Sequence, residues 1–344
     1  KNIFKNKPFL IAEISANHCG NIGLAKKLID TAKNNGADAV KLQTFSPDTM
    51  TIKADKKDFK IKEGLWKGYN LWNLYEKAQT PYSWHKELFN YAKRKKIICF
   101  STPFDETAVE LLEKLNTPIY KISSFEMTDI PLIKKIAKTK KPIIMSTGLS
   151  NLDEIELSFK TAKKFGCKDI TLLYCVSAYP AKESDINLNN INILKKKFGC
   201  RVGFSDHTKN TNIACAAIAM GAEVIEKHIA LNGQKKGLDI KFSLKGKEIL
   251  SFKKRISETY KFLGLNKFKR SKNEMKNKKF RRSIYAYKNI EKGEKFSKKN
   301  IKVIRPGYGL DPKYFEQLIG KKSPKKIKIA SRINLKIFKM TLKK

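Results

Sequence analysis

Acidic residues and histidines are scarce in this chain, and their scarcity limits the functions it can have. The 344 residues contain 32 aspartates and glutamates against 73 lysines and arginines, and four histidines, so the formal net charge is +41 at pH 7. A charge of this size suits nucleic acid or an anionic membrane. The lysines are nevertheless spread over every segment, and no recognised nucleic-acid motif occurs. We therefore expect neither nucleic acid nor a membrane as partner, and a preference for anionic small substrates.

Cysteine pairs, long apolar runs and glycine-rich nucleotide loops are also lacking. The six cysteines form no C-x-x-C pair, which argues against a zinc ribbon or a disulfide framework and favours reduced thiols in the cytoplasm. No apolar run reaches the roughly 18 residues that a membrane helix needs. No G-x-G-x-x-G follows the first apolar run, which weakens a dinucleotide-binding interpretation. These absences favour a cytoplasmic globular protein.

Short apolar runs alternate with amphipathic stretches through the first two thirds of the chain. The amphipathic stretches, such as "IGLAKKLIDTAKNNGA", close on glycine or asparagine as helices do. Eight such strand–helix units predict an α/β fold, a (β/α)8 TIM barrel, with an open doubly wound sheet as the alternative. The predicted strands are 9–15, 38–44, 97–102, 118–124, 142–147, 170–175, 201–206 and 222–228.

The composition changes after the eighth run and indicates a second domain. Residues 1–265 are expected to form the barrel, and residues 266–280, which are highly charged, a linker. Residues 281–344 hold short strand-like runs separated by Gly, Pro and Asn, which predicts a small β-rich domain.

One connection within the barrel region is unusually long. It runs between the second and third predicted strands and contains all three tryptophans, Trp66, Trp72 and Trp84. A loop at the barrel mouth that covers a substrate is one interpretation. An extra helix packed on the barrel, with its aromatic side chains buried, is the other.

Polar residues at the carboxyl ends of the predicted strands are site candidates, because active sites of (β/α)8 barrels lie there. Lys41 and Lys121 are the least ordinary, since a buried ammonium costs several kcal/mol unless it meets an anion. With nearby hydroxyls they predict a phosphate or carboxylate pocket; internal salt bridges with Glu13 and Glu126 are the alternative. Further candidates at these ends are Gln43, Thr102, Ser124, Ser146, Ser177, Tyr179, Ser205, His207 and His228.

The stretch "GFSDHT" brings Ser205, Asp206 and His207 together, the residue types of a hydrolase triad. Consecutive strand residues point to opposite faces of a sheet, so Asp206 cannot relay between its neighbours. We therefore reject a triad and expect a structural role for Asp206.

Two histidines end adjacent predicted strands and could point at one spot above the barrel. His207 and His228, with water and a carboxylate from Glu13 or Asp239, would suit a divalent metal such as Mn²⁺. Satisfied core histidines are the alternative.

The motifs around these residues resemble the sialic acid synthase family along essentially the whole chain. In order they read "IAEISANHCGN", "AVKLQTF", "STPFD", "YKISSFE", "PIIMSTG", "YCVSAYP", "GFSDHT", "EKHI" and "GLDIKFSL". The segment "RRSIYAYKNIEKGEKFSKKNIKVIRPGYGL" resembles the family's antifreeze-like (SAF) domain. The resemblance implies a barrel plus SAF domain in a domain-swapped homodimer. It also implies condensation of phosphoenolpyruvate with an N-acylated amino-hexose, with Mn²⁺ or Mg²⁺ as cofactor.

The resemblance also implies residue roles. His207 and His228 would bind the metal, Glu126 would be an acid–base candidate, and Arg305 of a partner protomer would reach the acyl group of the sugar. Glu13, Tyr179 and Asp239 would contact the sugar or a metal-bound water. The residues implied to hold phosphoenolpyruvate are Lys41, Thr102, Lys121, Ser124, Ser146, Ser177 and Ser205.

Departures from the N-acetylneuraminate pattern favour another branch of the family. Ser177 stands where that branch usually has asparagine, "SSFE" replaces "GSGE", and "GLWKGYNLWNLYEKAQTPYSWH" is similar to the pseudaminate branch. This implies 2,4-diacetamido-2,4,6-trideoxy-altrose as the acceptor. The legionaminate and N-acetylneuraminate branches stay open, as do a non-catalytic polyanion-binding barrel and a 3-deoxy-sugar acid synthase. The last of these lacks a SAF domain.

Overall fold

Eight parallel strands close into a barrel, as the sequence predicts. The computed structural model describes residues 3–5 and 7–343. Strand β1 pairs with β2 on one side and with β8 on the other, so the sheet closes on itself. The barrel strands are β1 (Phe9–Glu13), β2 (Ala39–Thr44), β3 (Ile98–Pro103), β4 (Tyr120–Ile122), β5 (Ile143–Ser146), β6 (Ile170–Cys175), β7 (Arg201–Asp206) and β8 (Val224–Ala230).

Helices surround these strands and bury one apolar face each. In α1 the buried residues Ala25, Leu28, Ile29 and Ala32 recur at helical spacing, and the Asn21 side chain caps the helix by accepting from the Leu24 amide. The helices of this unit are α1 (Ile22–Asn34), α2 (Pro47–Met50), α3 (Leu71–Ala78), α4 (Tyr82–Arg94), α5 (Glu106–Lys114), α6 (Ile130–Ala137), α7 (Leu152–Lys164), α8 (Asn189–Phe198), α9 (Asn212–Ala219) and α10 (Glu248–Phe262). In the described part of the chain, every helix is too short or too polar to cross a bilayer.

Short 3-10 helices and one short strand complete this unit. The strand β9 (Leu244–Lys245) adds to β8 beyond the barrel. The 3-10 helices are Ser15–His18, Lys57–Phe59, Glu183–Asp185 and Ile240–Phe242.

The inward side of the barrel changes from apolar to polar along the strands. Side chains alternate between the two faces of a strand, so every second residue points inward. In β8 the inward row runs Val224, Glu226, His228, and in β1 it runs Phe9, Ile11, Glu13. The apolar ends pack together in one buried cluster, whereas the polar ends line a cavity. The barrel interior is therefore a packed apolar core at one end and a polar cavity at the other.

The long connection after β2 contains both of the structures considered for it, a segment at the barrel mouth and an extra helix packed on the barrel. Residues 47–80, which we call the mouth segment, hold α2, α3 and a small hairpin in which the Ile61 amide donates to the Tyr69 carbonyl at 2.9 Å. Trp66 lies in the wall of the cavity. Trp84, in the following helix, packs instead on the barrel core. The connection is both a part of the mouth and an added helical layer.

The second unit has its own small core. The chain divides into two compact units, Lys1–Gly264 and Leu265–Lys344. In the second unit, β10 (Ser283–Ala286) and β11 (Ile301–Ile304) form an antiparallel pair with a core that includes Ile284, Phe296 and Ile337. Residues expected to be linker hold the short helix α11 (Lys272–Lys276) and a 3-10 turn (Asn277–Phe280). A 3-10 turn (Pro312–Tyr314), α12 (Phe315–Leu318) and α13 (Leu335–Leu342) follow. The helical C-terminus is a feature that the β-rich expectation did not include.

Candidate active site

A cavity of about 280 Å³ opens at the carboxyl ends of the barrel strands. Its size suits small molecules rather than a polymer. Strand residues form its floor and loop residues its walls. The floor residues are Glu13, Lys41, Gln43, Lys121, Ser146, Cys175, Ser205, Glu226 and His228, and the polar residues just beyond the strand ends are Ser15, Ser123, Ser124, Glu126, Tyr179, His207 and Asp239.

Two lysines and two glutamates meet on the floor, all at least nine-tenths buried. Lys41 Nζ lies 2.6 Å from Glu13 Oε2 and 3.9 Å from Glu226 Oε2. Lys121 Nζ lies 3.8 Å from Glu226 Oε1. Each lysine therefore has a carboxylate inside the barrel, so the salt-bridge alternative holds for Lys41. For Lys121 the partner is Glu226 rather than Glu126.

Hydroxyl groups extend this charged floor. Lys121 donates to Ser146 Oγ at 2.7 Å, and Lys41 donates to Thr102 Oγ1 at 3.1 Å. Ser205 Oγ donates to Glu226 Oε1 at 3.1 Å. The result is a continuous set of donors that could turn toward a bound anion.

A glycine packs between two further serines of the site. The Gly148 amide donates to Ser124 Oγ at 3.2 Å. A Cβ at this position would lie 2.2 Å from Ser177 Oγ and 2.7 Å from Ser124 Oγ. No side chain fits there without displacing both hydroxyls, which explains glycine in "STG".

Burial and ion pairing perturb the acids and bases of the floor. Burial raises the pKa of Glu226, but the ammonium groups of Lys121 and Lys41 outweigh this and hold it below its usual value. Burial lowers the pKa of Lys121, and Glu226 offsets this only in part. Burial raises the pKa of Glu126 to about 7. Groups poised in this way are typical of functional sites.

The two histidines face each other at the edge of the floor, their ring centroids 5.5 Å apart. His207 donates through Nδ1 to the Val176 carbonyl at 3.0 Å, so Nε2 is the ring nitrogen that remains for an ion. His228 Nδ1 is buried and has no hydrogen-bond partner among the described residues. Asp239 Oδ2 lies 3.6 Å from it. An unsatisfied nitrogen beside a second imidazole and a carboxylate fits a divalent cation.

The protein groups alone do not complete a metal shell. Among residues 3–5 and 7–343, no three His, Cys, Asp or Glu side chains converge closely enough to hold an ion by themselves. A cation held by His207 and His228 would therefore take its other ligands from water and substrate, as catalytic metals do.

Asp206 has the structural role that strand alternation predicts. Its carboxylate lies on the opposite face of β7, 3.0 Å from Lys227 Nζ, and both side chains are at most 1% exposed. The same carboxylate accepts from the amide and hydroxyl of Thr208. This pair joins β7 to β8 directly behind the two histidines. The triad interpretation is thereby excluded.

Glu126 and Tyr179 lie in the upper part of the cavity. The hydroxyl of Ser123 donates to Glu126 Oε2. Tyr179 packs its ring against His207, with centroids 4.5 Å apart, and against Trp66 at 5.3 Å. Tyr179 thus connects the histidine pair to the mouth segment.

The mouth segment gives the cavity an apolar wall, which we define as Met50, Ile61, Trp66, Leu71, Leu74 and Tyr75. Phe45, Phe104 and Phe125 continue this surface. Leu71, Leu74 and Tyr75 recur at the spacing of a helix, but this pattern does not show whether their side of α3 faces a cavity or the packed core. The tryptophan-rich composition was the signal available.

The predicted site residues fall in two places. All of the predicted site residues on the barrel line one cavity except Thr102 and Ser177. Thr102 is bonded to Lys41, and Ser177 lies beside Gly148. Arg305 belongs to the second unit, where its side chain is exposed. Glu226, which lies on the eighth predicted strand, has no role in the sequence-based prediction and is nevertheless central to the charged floor.

Comparisons with known proteins identify the family to which the chain belongs. The chain is 43% identical over 327 residues to the pseudaminic acid synthase of Campylobacter jejuni serotype O:2, covering 95% of each chain. It is 41% identical over 326 residues to the N,N'-diacetyllegionaminic acid synthase of the same organism, covering 94% and 97%. A crystal structure of N-acetylneuraminic acid synthetase from Leptospira borgpetersenii, in complex with citrate, superposes with a TM-score of 0.72 at 31% identity, covering 79% of this chain and 90% of the other.

Family profiles cover both units. Residues 28–268 match the NeuB family, and residues 281–331 match the SAF domain. The resemblance read from the motifs is thus confirmed, together with the barrel and SAF architecture. The chain belongs to the NeuB family, the sialic acid synthases, and carries their SAF domain.

Proposed function

We propose that the chain condenses phosphoenolpyruvate with 2,4-diacetamido-2,4,6-trideoxy-altrose to form pseudaminate and phosphate. The observation that carries this proposal is the 43% sequence identity to a pseudaminic acid synthase over 95% of each chain. The cavity supports the reaction class, because one floor combines buried ammonium groups, hydroxyls and a pair of histidines. The apolar wall supports a deoxy-sugar as acceptor.

The reaction makes one carbon–carbon bond and breaks one carbon–oxygen bond. C3 of phosphoenolpyruvate attacks the aldehyde carbon of the open-chain sugar, and the aldehyde oxygen takes up a proton. Water then adds to C2, and the bond from C2 to the phosphate oxygen breaks. The products are a nine-carbon 2-keto acid and inorganic phosphate.

Lys41 and Lys121 bind the charged ends of phosphoenolpyruvate in this proposal. The hydroxyls of Thr102, Ser124, Ser146, Ser177 and Ser205 donate further hydrogen bonds to it. Gln43, Glu13, Tyr179 and Asp239 contact the acceptor or the attacking water.

Charge balance on the floor supports a divalent cofactor, Mn²⁺ or Mg²⁺. Lys41 and Lys121 already face the carboxylates of Glu13 and Glu226, with Asp239 close by. A phosphoenolpyruvate anion would add negative charge that these lysines do not balance. His207 and His228 would hold the cation that does so, and when bound it would polarise the aldehyde as a Lewis acid.

We further propose a cytoplasmic homodimer in which Arg305 of one protomer reaches the acyl group of the sugar in the barrel of its partner. The six cysteines are free thiols, in keeping with a reducing compartment. Arg305 directly follows β11 and is exposed, so it can pair with a group outside its own unit.

Acceptor preference tests the proposed function. Phosphate release is measured with phosphoenolpyruvate, Mn²⁺ and each of three sugars: the trideoxy-altrose acceptor, the corresponding legionaminate precursor, and N-acetylmannosamine. We expect kcat/KM to be highest for the trideoxy-altrose acceptor. A higher kcat/KM for either of the other two sugars would instead assign the chain to the legionaminate or the N-acetylneuraminate branch. If no sugar gives phosphate release, the proposed enzymatic activity is wrong, and the polyanion-binding alternative is favoured.

The pH dependence tests the role of Glu126. We propose that Glu126 is the general base that activates water, so it must be deprotonated to act. Because burial raises its pKa to about 7, kcat/KM is expected to rise as the pH increases through about 7. In Glu126→Gln this acidic limb should vanish together with most of the activity. An unchanged limb in the residual activity of that variant would assign the titration to another group.

A further inference from the structure

We infer that the apolar wall of the mouth segment selects the acceptor by its C6 methyl group. This inference rests on the proposed function and names the part of the site that recognises a 6-deoxy sugar. No residue of the wall is needed for the bond-making steps, so selection and chemistry are carried by different parts of the chain.

The two sides of the cavity differ sharply in polarity. The charged residues that line it come from strand ends and the loops that follow them, whereas the mouth segment contributes Met50, Ile61, Leu71 and Leu74 as aliphatic lining. Leu74 is 7% exposed. These side chains offer no hydrogen-bond partner to a sugar hydroxyl. A hydroxyl placed against them would lose its water without replacement.

The wall is held in place at both of its ends. On one side the Trp66 indole donates to the Leu238 carbonyl at 3.3 Å and its ring packs on Tyr179. On the other side Tyr75 packs on Phe45 of the β2 end, with ring centroids 5.7 Å apart. A surface fixed in this way is preorganised, so it can discriminate between substrates without first having to order itself.

The reaction fixes the direction in which the acceptor enters. Its aldehyde carbon C1 must lie near the floor, where Lys41, Lys121 and the histidine pair converge. The other end of the open chain, C6, is then the carbon farthest from the floor. That end carries a methyl group in the trideoxy-altrose acceptor and a hydroxymethyl group in 6-hydroxy sugars. An aliphatic wall above the floor fits the former.

The experiment compares two acceptors that differ at C6 alone: 2,4-diacetamido-2,4,6-trideoxy-altrose and its 6-hydroxy counterpart. The variants are Met50→Gln, which adds a polar group at nearly constant size, and Ile61→Thr, which replaces an ethyl group with a hydroxyl. Ile52→Thr is the matched control, because Ile52 lies in the same segment, is 69% exposed and does not line the cavity. Phosphate release gives kcat/KM for each acceptor, and the KM for phosphoenolpyruvate is measured beside it.

We expect wild-type protein to prefer the 6-deoxy acceptor by about tenfold to a hundredfold, the range open to an apolar pocket against an added hydroxyl. In Met50→Gln and Ile61→Thr that ratio should fall by about tenfold, with the KM for phosphoenolpyruvate unchanged within about twofold. Ile52→Thr should keep the wild-type ratio.

Two outcomes would overturn the inference, and they are distinguishable. If wild-type protein prefers the 6-deoxy acceptor but both wall variants keep its ratio within twofold, the wall does not select at C6 and the proposed function stands. If wild-type protein prefers the 6-hydroxy acceptor, the inference and the proposed acceptor fail together.

Discussion

Replacing His228 with alanine is expected to reduce kcat by about three orders of magnitude, with His207→Ala giving a similar loss. A Lewis acid contributes several kcal/mol to a step of this kind, and each 1.36 kcal/mol is a factor of ten. The fold should survive, because both side chains face the cavity rather than the packed core. Phosphate release measures the activity, and titration with Mn²⁺ followed by electron paramagnetic resonance measures metal binding directly.

A buried histidine outside the cavity provides the control. His85 is fully buried and bonds to Thr44 Oγ1 at 2.7 Å, but it does not line the cavity. His85→Gln should therefore bind Mn²⁺ as wild-type protein does. If His228→Ala binds Mn²⁺ with wild-type affinity, His228 is not a metal ligand, even if the variant has lost its activity.

Replacing Asp206 with asparagine is expected to lower the free energy of unfolding by about 3–5 kcal/mol. The substitution leaves the Lys227 ammonium buried without its counter-charge, and breaking one side of a buried ion pair has a cost of this size. The double variant Asp206→Asn with Lys227→Met should lose less than the sum of the two single variants, because it removes both charges. Urea unfolding followed by tryptophan fluorescence reports on the barrel, since Trp66, Trp72 and Trp84 all lie there.

An exposed ion pair of the same unit gives the comparison. Lys135 and Glu110 approach to 2.9 Å with side chains that are 34% and 57% exposed. Glu110→Gln should change the free energy of unfolding by less than about 1 kcal/mol. Equal losses in Asp206→Asn and Glu110→Gln would show that the Asp206–Lys227 pair does not stabilise the barrel as proposed.

Strand alternation made most of the cavity floor predictable. Knowing that β7 and β8 are neighbours is enough to place His207 and His228 on one side and Asp206 on the other. The same rule assigns Lys41 and Lys121 to the interior. It could not assign their partners, because those depend on which strands face each other across the closed barrel. Lys121 on β4 meets Glu226 on β8, whereas Glu126, five residues along the chain, does not pair with it.

Other features depend on tertiary contacts that a periodic pattern does not reveal. The mouth segment takes its shape from a small hairpin, a short helix and ring contacts with Tyr179 and Phe45, all of which are tertiary. The sequence alone therefore did not show which residues of the mouth segment line the cavity. The C-terminal helix α13 was missed for a related reason: it is eight residues long and depends on packing Ile337 and Phe338 against the second unit's core.

The separation between strand-borne floor and mouth segment has a consequence for how acceptor preference can change. The groups proposed to act on phosphoenolpyruvate are distributed over six strands and the loops that follow them, so a change in one of them also affects its neighbours. The apolar wall, in contrast, belongs entirely to the mouth segment, one continuous stretch between β2 and α4. Substitution or recombination within that single stretch can alter the sugar that is accepted while the reaction is inherited intact. A family with one chemistry and several acceptors needs an arrangement of this kind.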